Sequence, residues 1–383
     1  MWWASLVAAA VALLSRLLPT SDATDVMRRI APVLVFLAAI TVVAQLADAA
    51  GVFDQAAHLA ARIGRGRTWR LWLLLVVLAT ASTIVLSLDT TAVLLTPVAL
   101  ALAAEIGISP APFAMTTVWL SGTASMLLPV SNLTNLLALH RFSALHVGLG
   151  GYVAVTWLPA LVAVLTTVAV LAVMFRRDLS TSYTRPSQPL VEDRTLLWIC
   201  SLVCLALAPA FATGVTPAWP ASVAAVLLAL AFWLRGRVSV LRPGLFPWRL
   251  VLLVVGLFLV VQTLQVHGLP AQLARIAGTG ESWPAHLRLS ATGAVGANAV
   301  DNLPAYLALE PVADSSPGRL VALLLGVNCA PMLTLWASLA TLLWRERCAA
   351  AGVDVSARRF LLRGLVLVPL VLVTTTLALA VTS

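Results

Sequence analysis

Ser87-Leu88-Asp89-Thr90-Thr91 and Asn298-Ala299-Val300-Asp301-Asn302-Leu303-Pro304 are short polar breaks set inside long apolar runs. A second pair follows them: Ser131-Asn132-Leu133-Thr134-Asn135 and Asn328-Cys329-Ala330-Pro331-Met332-Leu333-Thr334. Hydrocarbon tolerates irregular backbone and polar side chains only where protein buries them or water reaches them. Corresponding breaks in two halves of a membrane chain point to a transporter whose substrate sits between repeats.

The surrounding composition agrees. Of 383 residues, 61% are apolar and 10% charged, against about 25% charged in soluble domains. The chain therefore reads as an all-α polytopic membrane protein with no large soluble domain. A net charge of +9 would suggest nucleic acid in a soluble protein. Here the basic residues are all arginine and gather around 62–70, 176–194, 235–249 and 345–363. Cytoplasmic loops collect positive charge, so this pattern is topology. It places the N-terminus inside a bacterial inner membrane and gives no reason to expect a nucleic-acid partner. The apolar run 2–18 has no basic n-region or A-x-A cleavage site, and reads as a short first span rather than a signal peptide. Cys200, Cys204, Cys329 and Cys348 form no disulfide or zinc pattern. The histidines do not cluster with carboxylates at metal spacing, and no cofactor is implied.

A full span needs about 20 apolar residues. Spans are expected at 2–18, 30–51, 112–141, 150–175, 195–212, 217–235, 249–266, 318–344 and 360–382. Two stretches, 71–106 and 284–310, read instead as re-entrant hairpins with tips at 87–91 and 298–304. Pro304 suits the start of a half-helix, where its missing N–H is not needed. An amphipathic stretch precedes each hairpin, at 52–63 and 268–277, and the phrases before them are similar. The halves look like an inverted duplication offset by roughly 210 residues. The expected organisation is a first span and outer loop at 1–29, a first repeat at 30–175, a cytoplasmic linker at 176–194 and a second repeat at 195–383. Hairpins 71–106 and 284–310 and broken helices 112–141 and 318–344 lie within the repeats. Span one and one of the two spans after the linker fall outside the duplicated core.

A broken helix exposes N–H groups at one half-helix start and C=O groups at the other end. Hydroxyls and amides complete the shell: Ser87, Thr90, Thr91, Ser131, Asn132, Thr134 and Asn135 in half one, Asn298, Asn302, Asn328 and Thr334 in half two. Asp89 and Asp301 are the candidates for proton coupling. A carboxylate at mid-membrane costs at least about 2.5 kcal/mol, avoided by protonation, pairing or cation binding. The plainer reading has each aspartate capping the half-helix that follows. Glu105 and Glu310 are expected at the watery far ends of their half-helices. Cys329 stands beside the fourth break as a candidate contact. Trp119 and Trp336, inside spans, are candidates to line the path.

At these residues the chain resembles the arsenite efflux permeases of the ion transporter superfamily. The matching phrases are SLDTTAVLLTP (Ser87–Pro97), LLPVSNLTNLL (Leu127–Leu137), VGLFLVVQTLQVHGL (Val255–Leu269), GAVGANAVDNLPA (Gly293–Ala305), SLATLLW (Ser338–Trp344) and GVDVSARRFL (Gly352–Leu361). The resemblance implies an inverted-repeat fold with two hairpins and export of arsenite, often antimonite, against proton entry. Some members of the family work with a separate soluble ATPase partner, and a homodimer is a further expectation for this chain. The chain departs from the family at Leu88, where an asparagine is usual, and at Asp301-Asn302, where two asparagines are usual. It also departs at Ala330-Pro331 and Ala337-Ser338, where Gly-Pro and Gly-Ser are usual. The alternative of the same fold is a sodium/proton antiporter or carboxylate symporter. No arginine lies in the expected site, which counts against a carboxylate. An intramembrane aspartyl enzyme would need two carboxylates sharing a site and would leave the Ser, Thr and Asn clusters unexplained, so no enzyme is expected.

Overall fold

The computed structural model describes residues 2–184, 186 and 191–383. Arg185 and part of the expected linker 176–194 lie outside the described residues. The described residues form helices and no β-strand. Among the described residues seven helices are long and apolar enough to cross a membrane, and Trp3–Leu14, Ala218–Leu234 and Pro317–Cys329 are shorter apolar helices. The protein is a multi-pass membrane protein.

The same five-part series occurs twice. In half one a long helix, Thr20–Ala49, ends at Gly51, whose φ of 79° only glycine adopts freely. The amphipathic helix Val52–Ile63 follows, then hairpin 1 with arms Thr68–Val85 and Leu88–Glu105. Next comes a broken helix, Ala111–Thr123 and Leu133–Ala144, and then Gly148–Met174. In half two the series is Trp248–Val266, Gly268 at φ 91°, Leu269–Ala277, and hairpin 2 with arms Trp283–Val300 and Asn302–Ala313. The second broken helix, Pro317–Cys329 and Leu339–Ala350, and the last helix, Ala357–Thr382, complete it.

The elements outside this series are also arranged by symmetry. Trp2–Leu14 packs on Trp248–Val266, and Ala218–Leu234 packs on Thr20–Ala49. Each extra helix therefore braces the long helix of the opposite half. Among the described helices longer than ten residues Arg194–Ala212 has no counterpart, and it sits beside Thr20–Ala49 and Ala218–Leu234. Span one is thus paired, where the sequence placed it outside the repeat.

Two bodies result. The long helices and their braces form a scaffold. The hairpins, broken helices, Gly148–Met174 and Ala357–Thr382 form a core knit by close crossings. Gly326 sits so near the Ser290 carbonyl that any Cβ would collide with it. Trp344 donates to the Ala114 carbonyl at 2.9 Å, and Trp72 to Thr116 at 2.8 Å, both buried.

Three local expectations change. Residues 20–29 are helical, so the expected outer loop is the first turns of Thr20–Ala49. The arms of hairpin 1 are 18 residues each, about 27 Å at 1.5 Å per residue, longer than half-helices. The start of the linker is docked: Tyr183 donates to the Ala61 carbonyl at 2.6 Å, and Ser182 bridges Arg67.

Candidate functional site

Three of the breaks, and the start of the half-helix Leu339–Ala350 that follows the fourth, line one cavity of about 420 Å³. Local sequence explains why each break ends where it does. Ser87 caps Leu88–Glu105, its Oγ accepting from the Thr90 N–H at 3.1 Å. Asn132 caps Leu133–Ala144 through the Thr134 N–H, and Asp301 caps Asn302–Ala313 through the Leu303 N–H at 3.2 Å. Ser338 caps Leu339–Ala350 through the Thr341 N–H. Four helix N-termini, each carrying partial positive charge, therefore converge at the middle of the bundle.

The cavity has two unlike walls. The core wall holds Ser87, Asp89, Ser131, Asn132, Thr134, Asp301, Asn302 and Ser338; the scaffold wall is Phe36, Leu37, Ile40, Leu250, Leu253, Val254, Leu257 and Val260. Among the described residues no arginine or histidine lines it. Asp89 is half-buried, with no ion pair or side-chain hydrogen bond among the described residues. It lies within electrostatic reach of Asp301. Among the described residues no group of histidines, cysteines and carboxylates could hold a metal ion.

The remaining candidates stand behind this wall and hold it. Asn328 Oδ1 accepts from Asn132 at 2.9 Å and Thr134 at 2.7 Å, while its Nδ2 donates to Asn135 at 2.8 Å. Asn135 in turn donates to the Ser125 carbonyl at 2.6 Å. One side chain of half two thus orders the break of half one. Asn298 donates to the Ala330 carbonyl and accepts from the N–H groups of Leu333 and Thr334, shaping the fourth break. Thr334 donates to the Asn298 carbonyl. Thr91 is buried against Thr83 at 2.8 Å, and Thr90 against Ser87 at 2.9 Å. Cys329 is fully buried and does not line the cavity.

The shared capping role assigned to the two aspartates holds for Asp301 alone, because Ser87 takes the cap in hairpin 1. Glu310 is not at a watery end: it is 1% exposed and ion-paired to Arg29 and Arg141, with Tyr306 donating to it at 3.1 Å. Glu105 does reach the surface, 3.2 Å from His58. Neither tryptophan lines the cavity; Trp119 is fully buried and Trp336 is 54% exposed on the outside. Ser338 is a polar residue of the core wall that the sequence reading missed. Its signal was the Ser-x-x-Thr spacing before an apolar run, the same capping phrase as at Ser87-x-x-Thr90.

Duplicated broken helices meeting at a polar, half-buried site define a secondary membrane transporter of the inverted-repeat class. A sequence profile of the citrate transporter family matches residues 1–341, and the chain belongs to that family. It is 28% identical to an arsenical pump membrane protein of Escherichia coli over 99% of this chain and 92% of that protein. It is 27% identical to one of Yersinia enterocolitica over the same shares. The crystallised YdaH transporter of Alcanivorax borkumensis, noted for its unusual topology, superposes with a TM-score of 0.63 at 14% identity. That likeness covers 94% of this chain and 87% of that one, and bears on the fold.

Proposed function

We propose that this protein exports trivalent arsenic as arsenite, and antimonite likewise, in exchange for protons. The observation that carries the reading is the cavity lining: hydroxyls, amides, helix N-termini and two carboxylates, with no cationic side chain among the described residues. Near neutral pH arsenite is the uncharged As(OH)3, which can exchange hydrogen bonds with such a lining. A citrate-like polyanion would face Asp89 and Asp301 with no arginine to pair it. The similarity to arsenical pump membrane proteins supports the same choice.

Asp89 and Asp301 are the proton carriers in this proposal. An unpaired carboxylate in a membrane cavity lowers its cost by taking a proton. Proton binding from outside and release inside then drives the opposite movement of the neutral solute. Ser87, Ser131, Asn132, Thr134, Asn302 and Ser338 contact the solute, and Thr90, Thr91, Asn135, Asn298, Asn328, Cys329 and Thr334 hold those contacts in place. The arginine-rich face, with the N-terminus, is cytoplasmic in an inner membrane by the positive-inside rule.

Arsenite tolerance tests this in a bacterium stripped of its own efflux genes. The wild-type chain should confer tolerance and Asp89→Asn, inserted at the same level, should not. A well-inserted wild type without tolerance would sink the arsenite reading. The second reading, a sodium/proton antiporter, rests on the two carboxylates facing one cavity, and sodium-dependent thermal stabilisation would favour it.

A further inference from the structure

A second cavity of about 420 Å³ adjoins the first. Phe36, Val130 and Leu136 line both. These three apolar side chains are therefore common to the walls of both spaces. The first cavity runs toward the arginine-rich face, along Ala4, Ser5, Leu250 and Leu253 at the starts of their helices. The second runs toward the opposite face, past Arg28, Arg29, His140 and the loop at Gly214 and Val215.

The two bodies of the protein are joined by an ion pair on the elements that carry these side chains. Phe36 and Arg29 are seven residues apart on Thr20–Ala49, two turns along one helix face. Leu136 and Arg141 both lie on Leu133–Ala144. Glu310, from the second arm of hairpin 2, pairs with both arginines. Arg141 and Glu310 belong to the core, so their pair moves as a unit. Arg29 belongs to the scaffold, so the Arg29–Glu310 pair spans the two bodies. Glu310 keeps Arg141 and Tyr306 when Arg29 lets go, so the bridge can open without stranding a buried charge.

We infer that the second cavity is the outer station of the transport path, closed from the substrate cavity by Phe36, Val130 and Leu136 and held shut by the Arg29–Glu310 pair. The other end of the same scaffold helix carries the complementary element. Asp48 lies within electrostatic reach of Arg347 but forms no direct ion pair with it among the described residues. Arg141 and Arg347 each stand nine residues beyond the caps Asn132 and Ser338. Movement of the core that breaks the pair at Arg29 brings Arg347 to Asp48.

This inference rests on the transport reading but not on its substrate, and its test uses no arsenic. In a chain whose four cysteines are replaced by alanine, Leu133→Cys places a thiol in the substrate cavity, and Val215→Cys marks the face of the second one. An impermeant maleimide is applied to right-side-out and inside-out vesicles. Arg29→Gln should speed labelling of the Leu133→Cys thiol from the Val215 face about fivefold or more, the scale of a coupling between two conformations. Arg141→Gln, which breaks only the pair within the core, should leave that rate unchanged. An unchanged rate in Arg29→Gln would overturn the latch. An equal rise in Arg141→Gln would too, since it would show a loosened core rather than an opened gate.

Discussion

In hairpin 1 the helix cap is Ser87, in extended backbone at φ 171°, and the carboxylate of Asp89, in the first turn beyond it, has no partner among the described residues. In hairpin 2 one residue does both jobs. Asp301 caps its helix and lines the cavity, and its backbone sits at φ 91° and ψ 153°, a region open almost only to glycine. The same tip has been built with structural and chemical duties separated in one repeat and merged in the other. Strain of about 1–3 kcal/mol accompanies the merged version. The separated carboxylate is the freer to change its proton, which makes Asp89 the stronger test of coupling.

Asp89→Asn is the largest break in this comparison. Proton-driven transport should be abolished while the protein folds, since the Ser87 cap is untouched; proteoliposome efflux against a pH gradient measures it. Asp301→Asn keeps a capping side chain and should reduce transport less, and an equal loss in both variants would erase the distinction between the tips. Next in size is Asn328→Ala. It strands the polar groups of Asn132, Thr134 and Asn135 and should cost about 3 kcal/mol, read as a lowered Tm in detergent. Asp301→Gly relieves the backbone and loses only a few tenths of a kcal/mol of capping, for a net gain of about 1 kcal/mol with transport impaired. A loss of stability there would show that the aspartate is not strained. The smallest effect is Ser87→Ala, about 1 kcal/mol from the lost cap, checked by the same melting experiment.

The breaks themselves were legible because Ser, Thr, Asn and Asp in an apolar run have few other reasons to exist. Their facing was not. A helix turns about 100° per residue, so Ser87 and Asp89 line the cavity while Thr90 and Thr91, adjacent in sequence, bond to Ser87 and Thr83. Asn328 reads as a ligand from its position in a break, yet its amide is spent on three residues of the other half. Glu310 was misread for a related reason: its partners Arg29 and Arg141 lie 281 and 169 residues away.

The sequence by itself determined that the chain is helical, membrane-spanning, duplicated and broken at four polar points. Those are properties of local composition and periodicity, which each segment carries alone. Tertiary structure decided which polar residues face the cavity and which stand behind them. It also decided that Trp2–Leu14 braces the opposite half, and that a buried acid joins scaffold to core. These depend on contacts between segments remote in sequence, and such contacts exist only once the two halves have packed.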